Sequence, residues 1–275
     1  MTSRIIIDTH AHVFPPKVVD VAIEALSVPE RRNQIGGTLD DLLANMKRAG
    51  IKQTWTIPVA TRPDQVANIN RFAASQRALP GSPIVPLGAI HPDCDNPRAI
   101  LAEFQELGLP GFKVHPDYQD VHPTDPRMQP IFDAAVDFNL MAYCHSGDDV
   151  GPRTALGSPQ EYAAVIVEYP DLRIVLAHLG GYLMWDEVEE HLVGIGHPDR
   201  VFFDTSHIRG RIGEKQLLRI MRAQGLDRIL FGSDSPWMQV ADDITYFESL
   251  GFAEADLDAL FHQNATKLLA STAVS

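Results

Sequence analysis

Eight short apolar runs, each followed by a stretch with helical spacing, constrain this chain more than any other feature. The runs are rich in Ile, Val and Phe and read as strands over Arg4–Thr9, Gln53–Pro58, Ile84–Ile90, Gly111–Val114, Leu140–Cys144, Arg173–Ala177, Val201–Thr205 and Arg228–Phe231. Between them, apolar residues recur at three- and four-residue intervals. Leu39, Leu42, Leu43 and Met46 form one such face behind a Thr38 cap, and Tyr162, Val165 and Ile166 form another. Glycines followed by an apolar residue, at Gly50, Gly108 and Gly225, read as left-handed helix caps. Eight strand–helix units in 275 residues match an α/β fold of the (β/α)8 TIM-barrel type, distorted, spanning 1–275 as one domain. The rival, a doubly wound open sheet, lacks a GxGxxG after the first strand.

Loop lengths are unequal. Helix-to-strand turns are short, whereas strand-to-helix loops such as Val13–Gly37, Pro116–Pro126, Ser146–Ser158 and Ser235–Asp242 are long. Long loops at the carboxyl ends of barrel strands are where such folds place chemistry. The long first loop is expected to carry a short helix and to act as a lid.

Histidines collect at those same ends. Of eleven, seven lie at or just past a strand: His10, His12, His91, His115, His145, His178 and His207. If such positions cover roughly a tenth of a barrel chain, chance would place about one histidine there. In Asp8-Thr9-His10-Ala11-His12, alternation along a strand puts His10 and His12 on one side, as a divalent metal site requires. Tyr143-Cys144-His145-Ser146-Gly147 and Leu176-Ala177-His178-Leu179-Gly180-Gly181 each open an apolar strand into a glycine-bearing loop. Any one of these histidines alone reads equally well as a structural residue. Together at one mouth they point to a site. Leu230-Phe231-Gly232-Ser233-Asp234-Ser235-Pro236-Trp237 adds a carboxylate after strand eight, next to strand one in a closed barrel; the alternative is a helix cap. Lys113 and His115, two apart on strand four, face the same way, and a lysine inside a barrel needs an anion, a modification such as a carbamate, or an outlet to solvent.

This ordered set resembles the amidohydrolase superfamily, in the amidohydrolase-related branch of TIM-barrel hydrolases and decarboxylases. The flavour of GFKVHP, AHLGG and LFGSDSPW carries the likeness, which runs from Ile5 to about Leu269. The resemblance implies a divalent metal on His10, His12, His145 and Asp234, with Asp234 as general base. It implies that His178 polarises the water or the substrate. Zinc is the first choice for histidine nitrogen with one carboxylate, and manganese the next. Lys113, His115, His207, Arg153, Arg209 and Trp237 are expected to face substrate, with Arg211 and Phe14 as further candidates.

The leading reading is therefore a metal-dependent hydrolase of a small amide, lactone or ester-like carbonyl, with a non-oxidative decarboxylase of an aromatic or unsaturated acid as the alternative. A barrel that binds a ligand without metal is a third. The ligand set suits the first two equally. With 23 basic against 36 acidic residues, the formal charge of −13 repels phosphate backbones, so nucleic acid is not an expected partner; a small anionic molecule is. No apolar run reaches the length of a membrane span. Two cysteines 50 residues apart and the absence of a leader point to the cytoplasm, and a homo-oligomer stays open.

Overall fold

The computed structural model describes residues 4–27, 32–149 and 155–272. Among these residues nine strands run parallel: β1 (Ile7–Ala11), β2 (Gln53–Thr56), β3 (Ile84–Pro86), β4 (Gly88–Ala89), β5 (Gly111–Val114), β6 (Met141–Cys144), β7 (Arg173–Leu176), β8 (Val201–Asp204) and β9 (Ile229–Leu230). They pair in chain order, β1 to β3 in one sheet and β4 to β9 in another. The expected third strand is thus two pieces. Pro86 has no N–H to continue the ladder, and at Leu87 the strand changes partner: β3 lies on β2, while β4 lies on β5. Leu87 N–H still reaches the Thr56 carbonyl at 2.8 Å, which holds the two sheets together.

The ring returns to its start through hydrogen bonds rather than a full ladder. Thr9 N–H donates to the Phe231 carbonyl at 2.8 Å, and Asp234 N–H donates to the His10 carbonyl at 2.8 Å. His12 N–H donates to Ser235 at 2.6 Å, beside a parallel bridge from Ala11 to Ser235. Gly232 makes this approach possible, because a Cβ there would lie 2.9 Å from the His10 Cβ. The architecture is the (β/α)8 barrel that the alternation of runs predicts.

Side chains alternate across the strands as a filled barrel requires. Met141, Tyr143, Val175, Ala177, Phe202 and Leu230 pack inside with Trp55 and Val85, and Ala265 and Leu268 of the helix Asn264–Ala270 join them. Ala142, Cys144, Ile174, Leu176, Val201 and Phe203 face the surrounding helices. The helix Leu39–Ala49 begins on a Thr38–Asp41 capping box and ends on Gly50 at φ 73°. Gly108 is left-handed too, at φ 67°. Gly225 corrects the expectation: at φ 99° and ψ 122° it is not a left-handed helical cap, although its N–H still reaches the Met221 carbonyl. The long first loop carries the helix Val19–Leu26, none of whose residues is buried. Its end is tied across the mouth, with Gln34 N–H on the Pro236 carbonyl at 2.7 Å. No helix among the described residues is long and apolar enough to cross a membrane.

Candidate active site

β1 extends two residues further than the sequence suggests, so His10 lies within the strand and His12 just past it. Their rings meet edge to face, centroids 5.2 Å apart. Both Nε2 atoms approach one oxygen of Asp234, at 3.4 Å from His10 and 3.2 Å from His12. The other oxygen of Asp234 accepts from His207 Nδ1 at 2.7 Å. Burial alone would raise the Asp234 carboxyl; hydrogen bonds from His12 and His207 outweigh it and hold the group well below the usual carboxylate range. Asp234, His178 and His207 all occupy left-handed backbone, at φ 68°, 59° and 57°. Non-glycine residues rarely adopt that conformation, and here it turns the chain sharply just past β9, β7 and β8.

Across the mouth, His178 Nε2 and His145 Nδ1 face each other at 3.1 Å. Their other nitrogens fix the tautomers. His178 Nδ1 faces the Ser206 carbonyl at 2.9 Å and His145 Nε2 faces the Asp148 carbonyl at 2.9 Å, and a carbonyl only accepts. Both outer nitrogens therefore carry the proton, so two lone pairs face each other. Burial pushes both imidazoles down, His145 to about 4 and His178 to about 3, so neither holds a second proton at neutral pH. His10 is likewise neutral, pushed down to about 3 by burial. Its Nδ1 sits on Asp204 at 2.7 Å, which leaves an Nε2 lone pair facing the Asp234 carboxylate.

Such opposed acceptors are relieved by a cation. His10, His12 and Asp234 bring one ligand atom each within 4.8 Å of the others, and two imidazoles with one carboxylate suit a divalent metal. His115, Asp117 and His145 also gather. The two imidazoles of this second group are stacked: the His115 ring lies flat on His145 at 4.0 Å and on Tyr118 at 3.9 Å, so their in-plane lone pairs run side by side. His145 thus stands with His178 and His115, not in the cluster of His10, His12 and Asp234.

Lys113 is buried, with Nζ 5.2 Å from the Tyr143 ring centre. No ion pair holds it among the described residues. Burial pushes its ammonium down to about 8, against the opposing pull of Asp204. Arg209 is engaged by Asp243 at 2.6 Å and Asp242 at 3.4 Å. Trp237 is buried one turn beyond Asp234, whose carbonyl its N–H reaches at 2.9 Å. Arg211 is exposed and Phe14 half-buried; Arg153 lies outside the described residues. His91 is buried and accepts from Asp93 N–H, while His122 pairs with Glu161 on the surface.

Sequence reasoning missed Asp204, Ser206, Tyr143 and Tyr182. Asp204 is fully buried between His10 and the His178 backbone, and Tyr182 stands edge-on to both His178 and His207. The available signal was a carboxylate closing the apolar run Val201–Phe203, and a tyrosine interrupting another.

Solved structures share this fold end to end. The 5-carboxyvanillate decarboxylase of Novosphingobium aromaticivorans, complexed with manganese and 4-hydroxy-3-methoxy-5-nitrobenzoic acid, is 17% identical, with a TM-score of 0.74 over 98% of this chain and 96% of that one. The 2,6-dihydroxybenzoate decarboxylase from Rhizobium is 20% identical, with a TM-score of 0.69 over 98% and 99%. A Pseudomonas putida protein assigned as a 2-pyrone-4,6-dicarboxylic acid hydrolase is also 20% identical, with a TM-score of 0.70 over 98% of each chain. No curated protein matches the sequence. The sequence profile of the amidohydrolase family matches residues 7–270, and with barrel and histidine cluster in place the chain belongs to that family of enzymes.

Proposed function

We propose that the chain is a divalent-metal-dependent hydrolase of a small, carboxylate-bearing substrate, cleaving an amide, lactone or ester-like carbonyl. The observation that carries this reading is Asp234: an ionised carboxylate with one oxygen against His10 and His12 and the other fixed by His207. His10, His12 and Asp234 would hold the metal, and His145 would join them as a fourth ligand by turning its Nδ1 lone pair from His178 toward that cluster. Zinc is favoured by the donor set, and the manganese in one structural relative keeps that metal next. When bound, such a metal lowers the pKa of water and polarises a carbonyl.

The chain's own groups supply the rest. Asp234 takes the proton of the attacking water and returns it to the leaving group. His178 presents an Nε2 lone pair, so it accepts from the water and steers it; it has no proton there to give an oxyanion. Lys113 meets the substrate's carboxylate, which supplies the anion that the buried ammonium lacks. His115, His207 and Trp237 wall the pocket. Two free cysteines, Cys94 and Cys144, suit a reducing cytoplasm as the place of work.

A decarboxylase is the second reading, favoured by two of the structural relatives and by the same lysine, which would grip an arenecarboxylate. Oxygen-18 water separates the two. With 2-pyrone-4,6-dicarboxylate, 2,6-dihydroxybenzoate and 5-carboxyvanillate as probes, hydrolysis places one labelled oxygen in the product and releases no carbon dioxide. Carbon dioxide release without label uptake overturns the hydrolase. Asp234→Asn should cut turnover by about 10²–10⁴-fold while the fold persists.

A further inference from the structure

Asp204 ends β8 and is buried at the centre of five hydrogen bonds, to two backbone N–H groups, two hydroxyls and one ring nitrogen of His10. Oδ2 accepts from His10 Nδ1 at 2.7 Å and from the Tyr143 hydroxyl at 2.5 Å. Oδ1 accepts from the N–H of His178 at 2.9 Å, from the N–H of Ser206 at 2.8 Å and from the Ser206 hydroxyl at 2.6 Å. Two backbone N–H groups and two hydroxyls donate to it whatever the state of His10, and a group that carries four such donors is a carboxylate, which leaves His10 Nδ1 to donate. The one hydroxyl proton of Ser206 goes to Asp204. Toward His10 Nδ1 and His178 Nδ1, each 2.9 Å away, the serine oxygen is consequently an acceptor.

Every partner of His10 Nδ1 is therefore an acceptor, and the same holds for His178 Nδ1. We propose that Asp204 is a positioning residue that locks His10 in the Nδ1–H tautomer, so that its Nε2 lone pair is ready for the metal before any metal arrives. Ser206 extends the same polarity to His178. The metal role of His10 rests on the functional reading above; the tautomers do not.

The two histidines differ in what else holds them, and this sharpens the expectation for Asp204→Asn. An asparagine at 204 places its carbonyl where three donors converge, at His178 N–H and the two Ser206 groups. Its NH2 then faces His10 Nδ1 and Tyr143. Tyr143 can turn to the Thr9 hydroxyl, 3.3 Å away, but His10 Nδ1 must become an acceptor and its proton moves to Nε2. His178 keeps its tautomer, because the Ser206 carbonyl remains.

The test uses metal-free, 15N-histidine-labelled full-length protein and long-range 1H–15N correlation spectra. In the unmodified chain, His10 and His178 should both be protonated on Nδ1. In Asp204→Asn, His10 should switch to Nε2–H while His178 does not. Titration of the same samples with cobalt(II) should show a 10–100-fold loss of affinity, the usual effect of removing a group that orients a ligand. Restoring the carboxylate with Asp204→Glu should recover the His10 tautomer. An unmodified chain with His10 protonated on Nε2 overturns the proposal, and that measurement needs no variant to fold. So does a folded Asp204→Asn that keeps the His10 tautomer or binds cobalt as tightly. Carbon dioxide release in the oxygen-18 experiment would retire the hydrolase and leave these outcomes untouched.

Discussion

In the proposed reading, Lys113 serves the site at the expense of the fold. Its side chain is 1% exposed, and burial lowers its ammonium from 10.5 to about 8. A lysine with a depressed folded value destabilises the native state while it is protonated. That cost is fully present below about pH 8 and fades as pH rises toward 10.5, since the unfolded chain then binds more protons than the folded one. Its size is about 3 kcal/mol, from roughly 1.4 kcal/mol per pKa unit. The Tyr143 ring, 5.2 Å from Nζ, offsets a fraction of it. Lys113→Met should therefore raise the melting temperature at pH 7, with the gain shrinking toward pH 10 in parallel melts. The same variant should bind an anionic probe about ten- to a hundredfold more weakly, the worth of one charged hydrogen bond. A variant that is no more stable at pH 7, or that binds the probe unchanged, would deny Lys113 this double role.

Among the elements, the helix Leu39–Ala49 follows most directly from local chemistry. Thr38 Oγ1 accepts from Asp41 N–H at 3.2 Å and the Asp41 carboxylate accepts from Thr38 N–H at 3.1 Å, a reciprocal cap that satisfies two otherwise unpaired donors. Thr38→Ala should cost about 1 kcal/mol and lower the melting temperature by about 2–4 °C, leaving cobalt(II) affinity unchanged. This helix was legible because cap and apolar spacing are both local. The break at Leu87 was not, because an unbroken apolar run hides a change of strand partner forced by a proline. Gly50 and Gly225 look alike in sequence, yet Gly225 leads straight into the 3-10 turn Leu226–Arg228, and that continuation dictates its backbone. The site divides in the same way. His10 and His12 could be placed because alternation along one strand is local. The partners of His145 could not, since they come from the Asp148 carbonyl, the His178 strand and the His115 ring. Asp204 was hidden for the same reason: a carboxylate ending a strand looks like a solvent-facing cap until the barrel closes around it.

At the scale of the whole molecule, the candidate metal cluster straddles the seam where the barrel closes. His10 lies on β1 and His12 just past it, Asp234 comes from the turn after β9, and the two sides are joined by a few backbone hydrogen bonds rather than a long ladder. A cation held by all three groups would cross-link first strand to last, and the unfolded chain has no such site. Binding that favours only the folded state adds about 4 kcal/mol at a thousandfold excess over Kd. At about 2–4 °C per kcal/mol for a chain of this size, metal-free protein should melt about ten degrees lower than protein loaded with zinc or manganese. The formal charge of −13 supplies a competing explanation, because any divalent ion relieves repulsion on an acidic surface. His12→Asn separates them: the partly exposed ring of a proposed ligand is removed while the formal count of acidic and basic residues stays the same. The stabilisation should largely vanish in that variant and be absent with magnesium, which dehydrates reluctantly and prefers oxygen ligands. An equal rise in His12→Asn, or with magnesium, would assign the effect to the surface and leave the seam without its cross-link.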